Sequence, residues 1–184
     1  MLVKQEMEKN NLTNAMVQQG DATDMPQIAD ECYDVVLCLG PMYHLNREDR
    51  KKCMAECKRI CKKDGIIVFA FINKAGAIAK FGHGCGYPNV LTPKVAECVI
   101  ELGTDDKYKD VFYYTMPEEM VEDATAAGFE KIRMTGVDFL VLEEEVDNFT
   151  EEERRIWFKL GDLIPASEYA TGLSNHALYI CRKV

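Results

Sequence analysis

Apolar positions along the chain follow two periods, and the points where the period changes divide it into elements. Tyr33-Asp34-Val35-Val36-Leu37-Cys38-Leu39 is almost continuously apolar and ends in Gly40-Pro41, as a strand buried in a parallel sheet does. Ile66 to Ile72 is a second such run, entered through Asp64-Gly65. Between them the period lengthens to that of a helix, about Asn46 to Cys61, with Asn46 placed to cap it. Glu48 and Asp49 fall in its first turn and Arg59, Lys62 and Lys63 at its end, which complements the helix dipole. Strand, helix, strand over so short a span is a right-handed βαβ unit with parallel strands. Further helices are predicted over 2–11, 93–102, 117–127 and 151–163. Strands are predicted over 15–19, 129–137 and 176–182. The stretch 73–115 carries Gly76, Gly82, Gly84, Gly86, Pro88 and Pro93 and reads as irregular around its one helix. With neither repeats nor a linker, one α/β domain over 1–184 accounts for the pattern.

Composition narrows the setting. The 184 residues are 47% apolar and 29% charged, enough to bury a core. The longest apolar run, Ile66 to Ile72, is strand-sized, and Met1-Leu2-Val3-Lys4 lacks an export pattern, so a cytoplasmic protein without membrane contact is expected. A net charge of −9 with no basic tract beyond Cys61-Lys62-Lys63 argues against a nucleic-acid partner.

The chain has 8 cysteines but no sign of a secreted disulfide framework. Cys53, Cys57 and Cys61 invite comparison with the CxxxCxxC of radical SAM enzymes, yet the last gap is one residue too long. On one helix Cys53 and Cys61 would lie about 12 Å apart, too far to share an ion. They are read as small apolar residues on a buried stripe, and no metal site is expected.

Four segments, in order, resemble the class I S-adenosylmethionine (SAM)-dependent methyltransferases. Gln18-Gln19-Gly20-Asp21-Ala22-Thr23-Asp24-Met25-Pro26 is similar to the element after that family's third strand. Tyr33 to Leu45 is similar to its fourth strand with the cofactor-facing end, and Arg59 to Gly65 to its R-x-L-K-P-G-G turn, with Asp64 where proline is usual. The 117–128 helix, FEKIRMTGV and NHALYICRKV are similar to its last helix and antiparallel hairpin.

The resemblance implies SAM as cofactor, bound at the carboxyl ends of the strands. Asp21 would accept from the adenine amino group, and the Ala22 N–H would donate to the ring; the plainer reading of Asp21 is a turn residue bonding its own backbone. The Leu39 and Gly40 carbonyls would face the methionine end, where Gly40 permits close approach. Tyr43 and His44 would face the acceptor as candidate catalytic residues, His44 as general base; His44 could equally be a structural residue, since methyl transfer can proceed by alignment alone. Gly40-Pro41-Met42-Tyr43 lacks the polar residue and second proline of enzymes that methylate amino groups in DNA, so a small-molecule acceptor is expected.

The family's glycine-rich turn and the acid that holds the ribose are absent from the sequence. The cluster Gly82-His83-Gly84-Cys85-Gly86 lies in the wrong topological place and reads as a loop. Met1-Leu2 is similar to the Met-Leu just beyond that acid. The resemblance therefore implies an incomplete methyltransferase sheet lacking its first two strands, with about 40–60 residues missing. Weak or absent SAM binding and impaired activity follow. In the family's strand order, 3-2-1-4-5-7-6, the missing strands lie beside 33–39 and leave its edge open. That edge predicts a homodimer, or a slide of strand 15–19 onto it. The rival reading is a non-catalytic oligomeric relic or binding module. A nucleotide-binding protein of another type is disfavoured by the lack of a phosphate loop.

Overall fold

The computed structural model describes residues 2–82, 92–104, 111–138 and 146–184. The βαβ unit forms as its pattern demands: β1 (Tyr33–Cys38), α2 (Arg47–Ile60) and β2 (Cys61–Asn73) follow α1 (Leu2–Lys9), and β1 pairs parallel with β2. Asn46 caps α2, its Oδ1 accepting from Asp49 N–H at 3.0 Å. The buried stripe of α2 is Arg50, Cys53, Met54, Cys57 and Ile60, at helical spacing.

β2 starts at Cys61, five residues before the apolar run. Asp64 takes a left-handed φ of 62°, and the register with β1 jumps from Tyr33↔Cys61 to Val35↔Ile66. The expected Asp64-Gly65 turn is thus a bulge inside the strand. Gly65 is required there, because a Cβ would sit 2.6 Å from Cys61 Sγ and 2.9 Å from Asp34 O.

The chain continues through α3 (Lys74–Gly82), α4 (Pro93–Leu102), β3 (Tyr114–Thr115), α5 (Pro117–Ala126) and β4 (Phe129–Gly136). It ends with α6 (Glu151–Gly161), the short α7 (Leu163–Ala166), a 3-10 turn at Glu168–Leu173 and β5 (His176–Lys183). The sheet order is β1-β2-β5-β4, with β3 on β2 and β5 antiparallel to both neighbours. The predicted neighbours 33–39 and 66–72, and the antiparallel pair 129–137 and 176–182, are therefore present.

Two readings change. Residues 15–19 are irregular and exposed rather than a strand, and they do not slide onto β1. Among the described residues, no strand lies beside 15–19 to hold its backbone hydrogen bonds, so an isolated extended segment has nothing to pair with. The segment 73–115 is more regular than expected, since Lys74–Gly82 is a helix and Tyr114–Thr115 pairs with the end of β2. Of the glycine cluster, Gly82 ends α3, and 83–86 lie outside the described residues.

One face of the sheet is sealed. Val36, Cys38, Ile67, Phe69, Phe71, Ala177, Tyr179 and Cys181 form one buried cluster with Met54 and Cys57 of α2 and Met120 and Ala124 of α5. On the opposite face the alternation of β1 leaves Val35 and Leu37 at 53% and 60% exposure, and Leu39 beyond the strand at 51%. No described helix is long and apolar enough to cross a membrane.

Candidate functional site

The carboxyl end of β1 supplies most of the candidate residues. After Leu39 the chain turns through Gly40 into a 3-10 turn, Pro41–Tyr43, whose Met42 is completely buried. Met42 anchors the turn in the core and leaves Tyr43 half-buried and His44 exposed on the outer side. The Tyr43 hydroxyl donates to Leu39 O at 3.0 Å. One lone pair of the predicted ligand carbonyl is thus already engaged, and the second remains. Among the described residues, no atom beyond its chain neighbours lies within 4 Å of where a Gly40 Cβ would stand, and its φ is negative at −142°. Neither the packing nor the backbone of this chain requires glycine at 40; open space at the backbone is what it provides.

His44 Nδ1 lies 2.6 Å from Val111 O. A carbonyl only accepts, so Nδ1 carries the proton, and in the neutral ring Nε2 holds the available lone pair. The Tyr43 ring meets His44 edge-on at 4.7 Å and His176 at 6.4 Å. His176 opens β5, and its Nδ1 donates to Asp138 Oδ2 at 2.8 Å while its backbone N–H donates to Asp138 Oδ1 at 2.9 Å. Burial opposes ionisation of Asp138 most strongly, but the His176 hydrogen bonds outweigh it and hold the carboxyl below its usual range. Two imidazoles, each with Nδ1 committed to an oxygen, therefore flank one tyrosine.

The sequence reading missed the Asp138–His176 pair. Beside it opens a hollow of about 660 Å³ whose walls include Arg154, Trp157, Phe149 and Lys80, a volume in the usual range for a small ligand. A second hollow of about 470 Å³ lies between α2 and α5 among Lys51, Lys58 and Arg59 and reaches Lys183 at the end of β5.

Asp21 and Ala22 lie on a separate stretch. Asp21 Oδ1 accepts from Thr23 N and from Thr23 Oγ1, each at 2.8 Å, and Asp24 N–H returns to Asp21 O at 3.2 Å. This is the self-bonded turn of the plainer reading. The Thr23 backbone N–H, then its hydroxyl, lower the Asp21 carboxyl below its usual range. Oδ2 is left for an outside donor. Ala22, Met25 and Ile28 pack on the main core, and Glu56 and Arg59 of α2 tie the segment down. Of the six predicted residues, Leu39, Gly40, Tyr43 and His44 share one turn, whereas Asp21 and Ala22 belong to the separate turn in which Asp21 bonds Thr23.

Residues 1–69 match the family model described as a methyltransferase domain. The chain has the class I SAM-dependent methyltransferase fold. A SAM-dependent methyltransferase from Methanosarcina mazei superposes with a TM-score of 0.58 at 12% identity, covering 100% of this chain and 76% of the other. One from Thermotoga maritima gives 0.55 at 16% identity, covering 98% and 70%. The cyclase SpnF also shares the methyltransferase fold, with a TM-score of 0.53 at 14% identity, and this chain spans 61% of its length. One fold thus houses different chemistries, and the site must decide between them. No curated protein matches the sequence.

Methyltransferases of this class use SAM, whose sulfonium supplies an electrophilic methyl group. Open space at Gly40 fits the approach of such a ligand, and Asp21 Oδ2 can accept an amino group. A glycine-rich turn followed by an acid for the ribose is not among the 184 residues.

Proposed function

We propose that this methyltransferase fold serves methyl transfer from SAM to a small-molecule acceptor, with Tyr43 and His44 on the acceptor side. The His44 Nδ1–Val111 hydrogen bond carries the reading, because it presents Nε2 as a base beside the open backbone of Gly40. Tyr43 aligns the acceptor against that imidazole. Asp21, Ala22, Leu39 and Gly40 hold the nucleoside and methionine ends. A cytoplasmic setting is supported by free thiols at every described cysteine. The net charge of −9 favours a small acceptor over a nucleic acid.

The test is methyl transfer from tritiated SAM to a panel of small amines, carboxylates and phenols, with duplex DNA as control. Transfer to one small class that falls in His44→Gln supports the proposal. Transfer to DNA, or equal rates in His44→Gln, contradicts it.

A second reading, a non-catalytic module that assembles as a homodimer, is favoured by one observation. Val35, Leu37 and Leu39 form an apolar stripe on the outermost described strand, each more than half exposed. A symmetric copy would bury that stripe. A dimer that transfers no methyl group to any of the panel would select this reading.

A further inference from the structure

The sheet and α2 bring together three thiols that are scattered in sequence. Cys38 ends β1, and Cys53 and Cys57 stand one turn apart on the buried side of α2. Their sulfurs all lie within 4.8 Å of one another, with Cys38 and Cys53 at 3.7 Å. That distance is too long for a disulfide, whose sulfurs lie about 2.05 Å apart. It is the spacing of ligands on a tetrahedral ion: at a Zn–S bond of about 2.3 Å, two sulfurs stand about 3.8 Å apart. All three residues are at most 5% exposed.

We propose that Cys38, Cys53 and Cys57 form a binding site for a thiophilic divalent d10 ion of the zinc class, which clamps the cofactor end of β1 to α2. The choice of ion follows from charge. Three thiolates with a divalent cation leave one net negative charge in the core, whereas a monovalent ion would leave two, at a greater desolvation cost. Binding releases the thiol protons to solvent and forms three metal–sulfur bonds. Cys61, the third cysteine of the helical spacing, is not in the cluster; Cys38, from the strand, takes its place. The sequence reading expected no metal site, and the proposal departs from it. The ion lies directly under the turn that carries Leu39 and Gly40, so its role is structural. It is independent of whether the fold transfers methyl groups.

The test titrates the reduced, metal-free 184-residue chain with Cd(II) and then Zn(II). One equivalent of Cd(II) should produce the near-ultraviolet thiolate-to-cadmium absorption band. Zinc at a hundredfold excess over Kd should raise the Tm by about 5–10 °C. Cys38→Ser, Cys53→Ser and Cys57→Ser should each weaken binding at least about tenfold, as loss of one ligand does, while Cys32→Ser and Cys98→Ser leave it unchanged. X-ray absorption at the zinc edge of the unmutated protein should count three sulfurs near 2.3 Å. That measurement decides the matter even if a core variant fails to fold. A first shell made mostly of nitrogen or oxygen overturns the proposal. So does a cadmium band that survives in the Cys38→Ala/Cys53→Ala/Cys57→Ala chain, or no band in the unmutated one.

Discussion

Glu56 ties the Asp21 segment to the rest of the molecule, and removing it should loosen that segment by a calculable amount. Its Oε2 accepts from Met25 N–H at 2.8 Å and from Arg59 Nη2 at 2.8 Å, and Oε1 accepts from Arg59 Nε at 2.9 Å. Arg59 in turn donates to Met25 O, Ile28 O and Asp30. A charge-assisted bond to a backbone N–H contributes about 1.5–3 kcal/mol, and a helical ion pair at this spacing about 0.3–0.5. The Glu56 side chain is 18% exposed and that of Arg59 28%, so solvent screens part of this and the lower half of the range applies. Glu56→Ala should therefore cost about 2 kcal/mol, a Tm drop of about 4–8 °C for a chain of this length. Glu56→Gln keeps an acceptor for Met25 and should lose about half as much. The Arg59 side chain, then the Met25 N–H, lower the Glu56 carboxyl to about 2 from 4.5. A depressed carboxyl stabilises the fold above its unfolded value and loses that contribution as pH falls through the folded one. The difference between the unmutated chain and Glu56→Ala should thus be constant above pH 4.5 and vanish toward pH 2. Urea unfolding at stepped pH measures it, with hydrogen exchange at 21–30 as the local readout. If Glu56→Ala lies within about 0.5 kcal/mol of the unmutated chain, at the level of a neutral surface change, the tether is not what holds the segment.

Gly76→Ala places a Cβ 2.0 Å from Ser174 O and 2.9 Å from Asn175 N, both backbone atoms, so thermal unfolding should show a loss of about 3 kcal/mol or more. Tyr43→Phe deletes the donor to Leu39 O at an exposed site, and calorimetry should find stability lower by no more than about 1 kcal/mol while SAM affinity stays equal or rises, because the carbonyl is released. A tenfold weaker SAM isotherm would mean that the hydroxyl itself touches the ligand. Leu37→Lys on the exposed stripe should leave the fold intact and convert a dimer to a monomer in sedimentation at tens of micromolar, and a monomeric unmutated chain would remove the homodimer proposal.

The elements were legible wherever an unbroken apolar run or a capped helical period marks them. β1 and β2 carry continuous apolar runs, and α2 carries its cap and charges in order, so strand, helix and pairing all follow from composition. Residues 15–19 lack that support, because their strand reading rested on a short stretch before a turn cluster and they have no sheet neighbour among the described residues. α3 escaped because Lys74-Ala75-Gly76-Ala77 reads as flexible, when the glycine is there to let the helix approach Ser174. A Cβ at that contact would keep the helix from closing on the loop before β5.

Site residues divide along the same physical line. Leu39 to His44 are consecutive, so any correct placement of β1 gathers them, and the turn they form could be read directly. Asp138 and His176 stand 38 residues apart and meet only through the β4–β5 register, where Val137 N–H donates to His176 O. The antiparallel pairing was predicted but its register was not, and it is the register that sets the carboxylate against the imidazole. The thiols needed one more step. Helical spacing rightly separates Cys61 from Cys53, but it is blind to a ligand arriving from a strand, and Cys38 alternates onto the face that α2 covers. Helix α2 alone carries Cys53 and Cys57, two of the three thiols. The inward residues of β1, read against the inward stripe of α2, complete the set. The two thirds of this candidate centre that were visible are those that local periodicity brings together, and the remaining third depends on which face of a strand meets which face of a helix.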